Sequence, residues 1–180
     1  MTSSAGAGDE LTRLVSTLVR DVLDYPLVGV VFKDITPLLA DGKAFAAVVD
    51  ALAVTDGPVD KVAGIEARGF ILAAPVACRL GAGFVPIRKK GKLPGATFAQ
   101  DYDLEYGTAT IEVQTNAFVP GERVLVIDDV LATGGTARAT ADLVQRAGAQ
   151  VARLAVLLEL SFLNGRDRLA GLPVSALLRV

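Results

Sequence analysis

The chain has 180 residues, 52% of them hydrophobic, with 18 Lys and Arg against 20 Asp and Glu for a net charge of −2. That length suffices for one domain with a sizeable core, and the mildly acidic balance argues against broad nucleic-acid binding, which needs a clearly basic surface. Histidine is absent, so His-based triads and histidine metal ligands are excluded; the chemistry must rest on carboxylates, cations, backbone dipoles or a metal delivered with substrate.

Residues 1–9 are small and polar, lack the basic start and apolar centre of a secretory signal, and read as a loose tail. Residues 10–180 read as a single domain, since no repeat, linker or low-complexity block divides them. Leu11, Leu14, Val15, Leu18, Val19 and Val22 share one helical face and predict an amphipathic helix over 10–24. A loop through Pro26, Gly29 and Pro37 follows, then a second helix marked by Phe45, Val48, Val49 and Leu52 with Asp41 as its cap. Short buried strands are expected at 62–65 and 84–87, with a helix over 70–80 between them. That helix carries the most apolar run, 69–78, which stops at Arg79 far short of the ~20 residues that span a bilayer, so no membrane anchor is expected. Cys78, the only cysteine, permits no internal disulfide and reads as a buried structural residue.

Residues 89–103 read as a long polar loop and 104–114 as a hairpin or extended excursion. The central strand is expected at 123–127, its helix at 135–147, another buried strand at 151–158 and a terminal strand near 174–179. Alternating strands and helices predict an α/β fold with a mainly parallel sheet, the terminal segments forming a small hood. In such sheets ligands sit beyond the carboxyl ends of the strands. Unusual charges recur there: Glu66 and Arg68, then Arg88, Lys89, Lys90 and Lys92, then Asp128 and Asp129, then Glu159. The short basic run within an acidic chain suggests a polyphosphate partner rather than DNA or RNA.

The stretch Val124-Leu125-Val126-Ile127-Asp128-Asp129-Val130-Leu131-Ala132-Thr133-Gly134-Gly135-Thr136 is the most informative. An apolar strand runs through two adjacent acids into a glycine-threonine turn that opens a helix. Glycines let backbone N–H groups close around phosphate oxygens, threonine hydroxyls add donors, and a helix start favours an anion. The carboxylates accept hydrogen bonds from a vicinal diol. Phosphate at one end and sugar hydroxyls at the other is the pattern expected of a ribose-5-phosphate grip. The segment lacks the lysine of a Walker loop and the G-x-G-x-x-G spacing of a dinucleotide fold. A capped helix after an Asp-rich turn is the bland alternative, but the ordered run is more specific than that.

This loop resembles the ribose-phosphate loop of the type I phosphoribosyltransferases. Further segments resemble their adenine-specific family: Val30-Val31-Phe32-Lys33-Asp34-Ile35-Thr36-Pro37, Gly64-Ile65-Glu66-Ala67-Arg68-Gly69-Phe70, Val85-Pro86-Ile87-Arg88-Lys89-Lys90-Gly91-Lys92-Leu93-Pro94-Gly95, Leu104-Glu105-Tyr106-Gly107, Leu158-Glu159-Leu160 and Leu163-Asn164-Gly165-Arg166. Where the family commonly has proline before Gly29, this chain has Val28.

The resemblance implies a cytoplasmic, homodimeric enzyme that joins adenine to 5-phosphoribosyl 1-pyrophosphate, giving AMP and diphosphate. Magnesium would arrive mainly on the sugar diphosphate, with no protein ligand assigned, and the 89–107 segment would close as a mobile loop. Carried over, Asp128 and Asp129 hold ribose hydroxyls, while Ala132, Thr133, Gly134, Gly135 and Thr136 hold the 5-phosphate. Arg68, Arg88, Lys89 and Lys92 line the diphosphate site. Phe32 stacks on adenine, the backbone of Val31 and Lys33 reads its edge, and Leu160 completes an apolar wall. Glu105 handles the purine proton. Without the resemblance, Phe32 and Leu160 read as core residues and Glu105 as a solvent-facing hairpin residue. Two rivals remain: a transferase for a 6-oxopurine, and a non-catalytic regulator that senses the sugar diphosphate.

Overall fold

A computed structural model describes residues 4–103 and 107–180, which fall into two compact units, Met1–Ala51 and Leu52–Val180. The first holds helix α1 (Ser4–Leu18), strands β1 (Arg20–Leu23) and β2 (Val31–Asp34), and helices α2 (Thr36–Ala40) and α3 (Gly42–Leu52). α1 starts inside the segment read as a tail and stops short of the expected residue 24. Residues 20–23 instead pair antiparallel with β2, Arg20 opposite Asp34 and Leu23 opposite Val31. Long-range pairing overrides the local helical period here: Arg20 Nη2 lies 2.6 Å from Asp34 Oδ2, and Lys33 Nζ lies 2.7 Å from Asp21 Oδ1. Asp41 caps α3 as expected, its Oδ1 accepting from the N–H groups of Lys43 and Ala44 at 3.0 Å each.

Asp34 closes this hairpin and is held down to about pKa 2, first by the Thr36 hydroxyl, then by the Thr36 N–H at 2.9 Å and by Arg20. A carboxyl lowered in this way contributes stability above its ordinary 3.8 and loses it as pH falls through about 2. Thr36→Val is therefore expected to shift the Asp34 titration, followed by carboxyl NMR, back toward 3.8. An unmoved titration would show that the hydroxyl contributes nothing.

The second unit is built on a seven-stranded sheet. Its strands are β3 (Lys61–Ile65), β4 (Gly83–Lys89), β5 (Thr97–Asp103), β6 (Thr108–Gln114), β7 (Arg123–Leu131), β8 (Gln150–Glu159) and β9 (Val174–Arg179). Spatially they run β5-β6-β4-β3-β7-β8-β9. The stretch from β4 to β9 is parallel, and the β5–β6 hairpin adds an antiparallel flank through β6 on β4. β3 and β7 at the centre are almost wholly buried, which parallel strands covered on both faces require. Helix α4 (Arg68–Leu80) links β3 to β4, and α5 (Gly135–Arg146) links β7 to β8. The two connections run in opposite directions along the sheet. Right-handed crossovers therefore put α4 and α5 on opposite faces, with the strand order reversing between β3 and β7. α5 buries Ala137, Ala139, Ala141, Leu143 and Val144; Leu143 alone contributes roughly 1.5–3 kcal/mol.

Four expectations need correction. Residues 97–103 form a strand rather than loop, because Phe98, Gln100 and Tyr102 turn inward on alternate positions. β7 runs on to Leu131, so Asp128 and Asp129 lie within it instead of beyond it. Cys78 is exposed on α4, whose buried face is formed by Gly69, Leu72, Ala73, Val76 and Ala77. The terminal strand belongs to the sheet rather than to a hood, with β9 parallel to β8. Among the described residues no helix is long and apolar enough to cross a membrane.

Candidate active site

The reversal between β3 and β7 is where the charged residues gather. Gly64 pairs with Ile127 in register, so Glu66 and Arg68 after β3 stand beside Asp128 and Asp129 on β7. β4 flanks β3 on the other side, with Ile65 opposite Ile87, which brings Arg88 alongside.

Ala132, Thr133, Gly134, Gly135 and Thr136 wrap a hollow of about 70 Å³ that Asp128, Val130 and Leu131 also line. A liquid water occupies ~30 Å³, so the hollow admits a group of phosphate size. Gly134 stands at the head of α5 with φ +82°, a left-handed conformation that leaves the first-turn N–H groups facing the hollow. Those amides and the helix dipole favour an anion at this spot. A wider hollow of about 390 Å³ lies between β5 and α5, lined by Asp101, Asp103, Arg138, Asp142 and Arg168 among others. The mixture of signs there is less suited to a single dianion than a ring of amides at a helix head.

Asp128 is half-buried and faces the loop hollow. Burial pushes its carboxyl well above the usual carboxylate range, and the neighbouring Asp129 charge adds to this; the Asp129 N–H (2.9 Å to Oδ1) and Arg68 oppose it. Asp129 is 6% exposed and meets Arg68, whose Nη2 lies 2.6 Å from Oδ2. That contact is ionic, since Oδ2 accepts no hydrogen bond of regular geometry among the described residues. A buried acceptor with spare capacity fits a ligand hydroxyl.

Arg88 is held by Glu66, with Nε 3.2 Å from Oε2, and donates through Nη1 to Lys92 O at 3.1 Å. The Lys89 N–H also donates to Glu66 Oε2 at 2.9 Å. Burial alone would raise the Glu66 carboxyl, but the Lys89 N–H and the Arg88 guanidinium outweigh it and lower it. Glu66 therefore stays charged and fixes the cationic segment; its role was not legible from its position after a strand. Gly69 lets α4 close on β7: a Cβ there would sit 2.9 Å from both Asp128 Oδ1 and Ile127 O.

The remaining expected site residues are distributed as follows. Leu160 follows β8 and donates its N–H to Leu131 O at 2.9 Å, beside the loop's start. Val31, Phe32 and Lys33 lie on β2 of the first unit; Phe32 meets the Tyr25 ring edge-on at 5.1 Å, and both line an apolar hollow with Val22 and Asp34. Tyr25 was missed because a lone aromatic in a loop carries no pattern. Glu105 lies outside the described residues. Glu159, read as a pocket charge, is turned instead to Arg166 and Arg179.

A family model for the phosphoribosyl transferase domain matches residues 33–171. The adenine phosphoribosyltransferase of Streptomyces coelicolor is 63% identical over 176 residues, covering 94% of this chain and 97% of that one. A crystal structure of adenine phosphoribosyltransferase from Rhodothermus marinus superposes with a TM-score of 0.92 at 48% identity, covering 96% and 99% of the two chains. The Saccharomyces cerevisiae enzyme, complexed with an imino-altritol bisphosphate and adenine, superposes at 0.89 with 34% identity, covering 94% and 99%. Identity this high along nearly the whole length, carried by the same type I sheet, makes the chain a member of the adenine phosphoribosyltransferase family.

Proposed function

We propose that the chain transfers the 5-phosphoribosyl group of its sugar diphosphate to adenine, yielding AMP and diphosphate in purine salvage. The observation that carries this reading is the meeting, at one reversal in strand order, of an anion-binding helix head, an acid pair and the arginines Arg68 and Arg88. Residues 10–180 act as one catalytic domain, working as a cytoplasmic homodimer as the family resemblance suggests.

The amides of Ala132, Thr133, Gly134, Gly135 and Thr136 bind the 5-phosphate and anchor the sugar. Asp128 and Asp129 accept hydrogen bonds from the ribose hydroxyls. Breaking the anomeric carbon–oxygen bond leaves positive character on the ring and new negative charge on the diphosphate. Arg68, Arg88, Lys89 and Lys92 answer the second, and the acid pair answers the first. Because Arg68 rests on Asp129, the incoming diphosphate takes over this cation as the sugar hydroxyls take over the acid. Magnesium is part of the substrate here; the diphosphate oxygens are the hard donors it prefers, and it neutralises leaving-group charge. Phe32 and Leu160 supply apolar surface for the purine, Val31 and Lys33 its backbone contacts, and Glu105 its proton acceptor.

Incubation with the sugar diphosphate, magnesium and a mixture of adenine, hypoxanthine and guanine, followed by chromatography, is expected to yield mainly AMP. IMP formed as fast as AMP would overturn the base assignment. Tight binding of the sugar diphosphate without diphosphate release would point to the regulator instead.

A further inference from the structure

The segment Leu163-Asn164-Gly165-Arg166 has no part in the scheme above, yet it lies directly against the phosphate loop. A Cβ on Gly165 would stand 2.0 Å from Ala132 O and 2.9 Å from Gly134 N, and one on Gly134 would stand 2.2 Å from Gly165 O. Two backbones meet here with no room for a methyl group on either. Two short 3-10 turns, Ser161–Leu163 and Gly165–Leu169, set up the approach, with Asn164 between them in the left-handed region at φ +51°.

The next residue anchors that approach. Arg166 grips Glu159 with two parallel bonds, Nε to Oε1 at 2.9 Å and Nη2 to Oε2 at 2.5 Å, and its Nη1 donates to Val174 O at 2.9 Å. Glu159 is 6% exposed, ends β8 and pairs in register with Leu131, the residue just before the loop. The Arg166 bonds hold its carboxyl below the usual range, with Arg179 adding to the pull, so the pair is fully charged at neutral pH. One fork-shaped ion pair thus ties the end of β8 to the turn whose glycine backs the loop.

We infer that Arg166 and Glu159 are positioning residues for the 5-phosphate: they hold Gly165 against Ala132 and Gly134, and so set where the loop amides point. The inference rests on reading residues 132–136 as the 5-phosphate site. It predicts a selective defect, because the backbone that Gly165 presses on is that of the residues assigned to the phosphate end of the ligand. Arg179 shares Glu159, its Nε 3.2 Å from Oε2, and it serves as the control.

The test compares AMP with adenosine as competitive inhibitors and measures KM separately for each substrate. For Arg166→Gln the advantage of AMP over adenosine is expected to shrink by about tenfold, equivalent to ~1.4 kcal/mol, with KM for the sugar diphosphate rising to match. KM for adenine should hold, and Arg179→Ala should behave as the parent. Arg166→Lys, which keeps the charge and loses the fork, should show the same selective loss and decides the matter if the glutamine variant does not fold. Equal losses for AMP and adenosine, or an unchanged AMP advantage in a folded variant, would overturn the inference. Gly134→Ala separates the two failures. If it reduces the AMP advantage and the Arg166 variants do not, only the buttress is wrong; if it too leaves that advantage intact, the 5-phosphate reading itself fails.

Discussion

Gly134→Ala is expected to lower kcat/KM for the sugar diphosphate by roughly 5- to 150-fold, the equivalent of ~1–3 kcal/mol of misplaced binding. Two independent costs combine at this position. The residue sits at φ +82°, where a side chain strains the backbone. Its new methyl group would also lie 2.2 Å from Gly165 O, which is backbone and cannot swing aside. The loop must move, and the amides of α5's first turn move with it. Adenine affinity should be much less affected, so varying each substrate in turn separates the effects. A folded variant with unchanged kcat/KM for the sugar diphosphate would detach this loop from phosphate binding.

Asp128→Asn is expected to give a more stable, much slower enzyme. Burial raises the Asp128 carboxyl well above its ordinary value and the Asp129 charge raises it further, so the folded chain holds this proton more tightly than the unfolded one. The associated stability is complete below the ordinary carboxylate value and is lost as pH rises through the raised one. Asparagine never ionises, so the variant's advantage should grow with pH. Melting at about pH 8 should show a larger gain than at about pH 5, on the order of the 2–4 °C that ~1 kcal/mol gives a chain of this size. As the anomeric bond breaks and the ring gains positive character, the carboxylate form is favoured and can stabilise the ribose cation. Its loss should cut kcat by roughly 10²- to 10³-fold. A stability gain that shrinks toward high pH, or an unchanged kcat, would count against this account.

Much of the second unit was legible because its strands are buried on both faces and spell themselves out as apolar runs; β3, β8 and the span of α5 match their sequence readings closely. The failures share a cause. β1 fits a helical period through Val22, and only its partner β2, with the Asp21–Lys33 and Arg20–Asp34 pairs, makes it a strand. β5 alternates as a strand should, but its inward positions include Gln100 and its outward ones Asp101 and Asp103, so its composition suggested a loop. Residue types near the loop and at the strand ends singled out Arg68, Arg88, Asp128 and Asp129, which the fold gathers at one reversal of strand order. Which of them pair with one another could not be read along the chain. Glu66 on Arg88 and Glu159 on Arg166 are contacts between segments 22 and 7 residues apart, respectively, and neither spacing is a motif. Gly165 was visible as part of a family segment, but its reason for being glycine is a neighbour more than thirty positions earlier.

The hydrogen atom that stands in for a side chain at Gly69 has one more consequence. Because α4 presses onto the acid pair at that point, the guanidinium at the helix start and the carboxylates of β7 behave as one gauge block. On the proposed assignment, a pentose offers its diol to the acids and its leaving group to the guanidinium at that single separation. A larger residue at position 69 would have to lift the helix off β7, and the distance between guanidinium and carboxylates would widen with it.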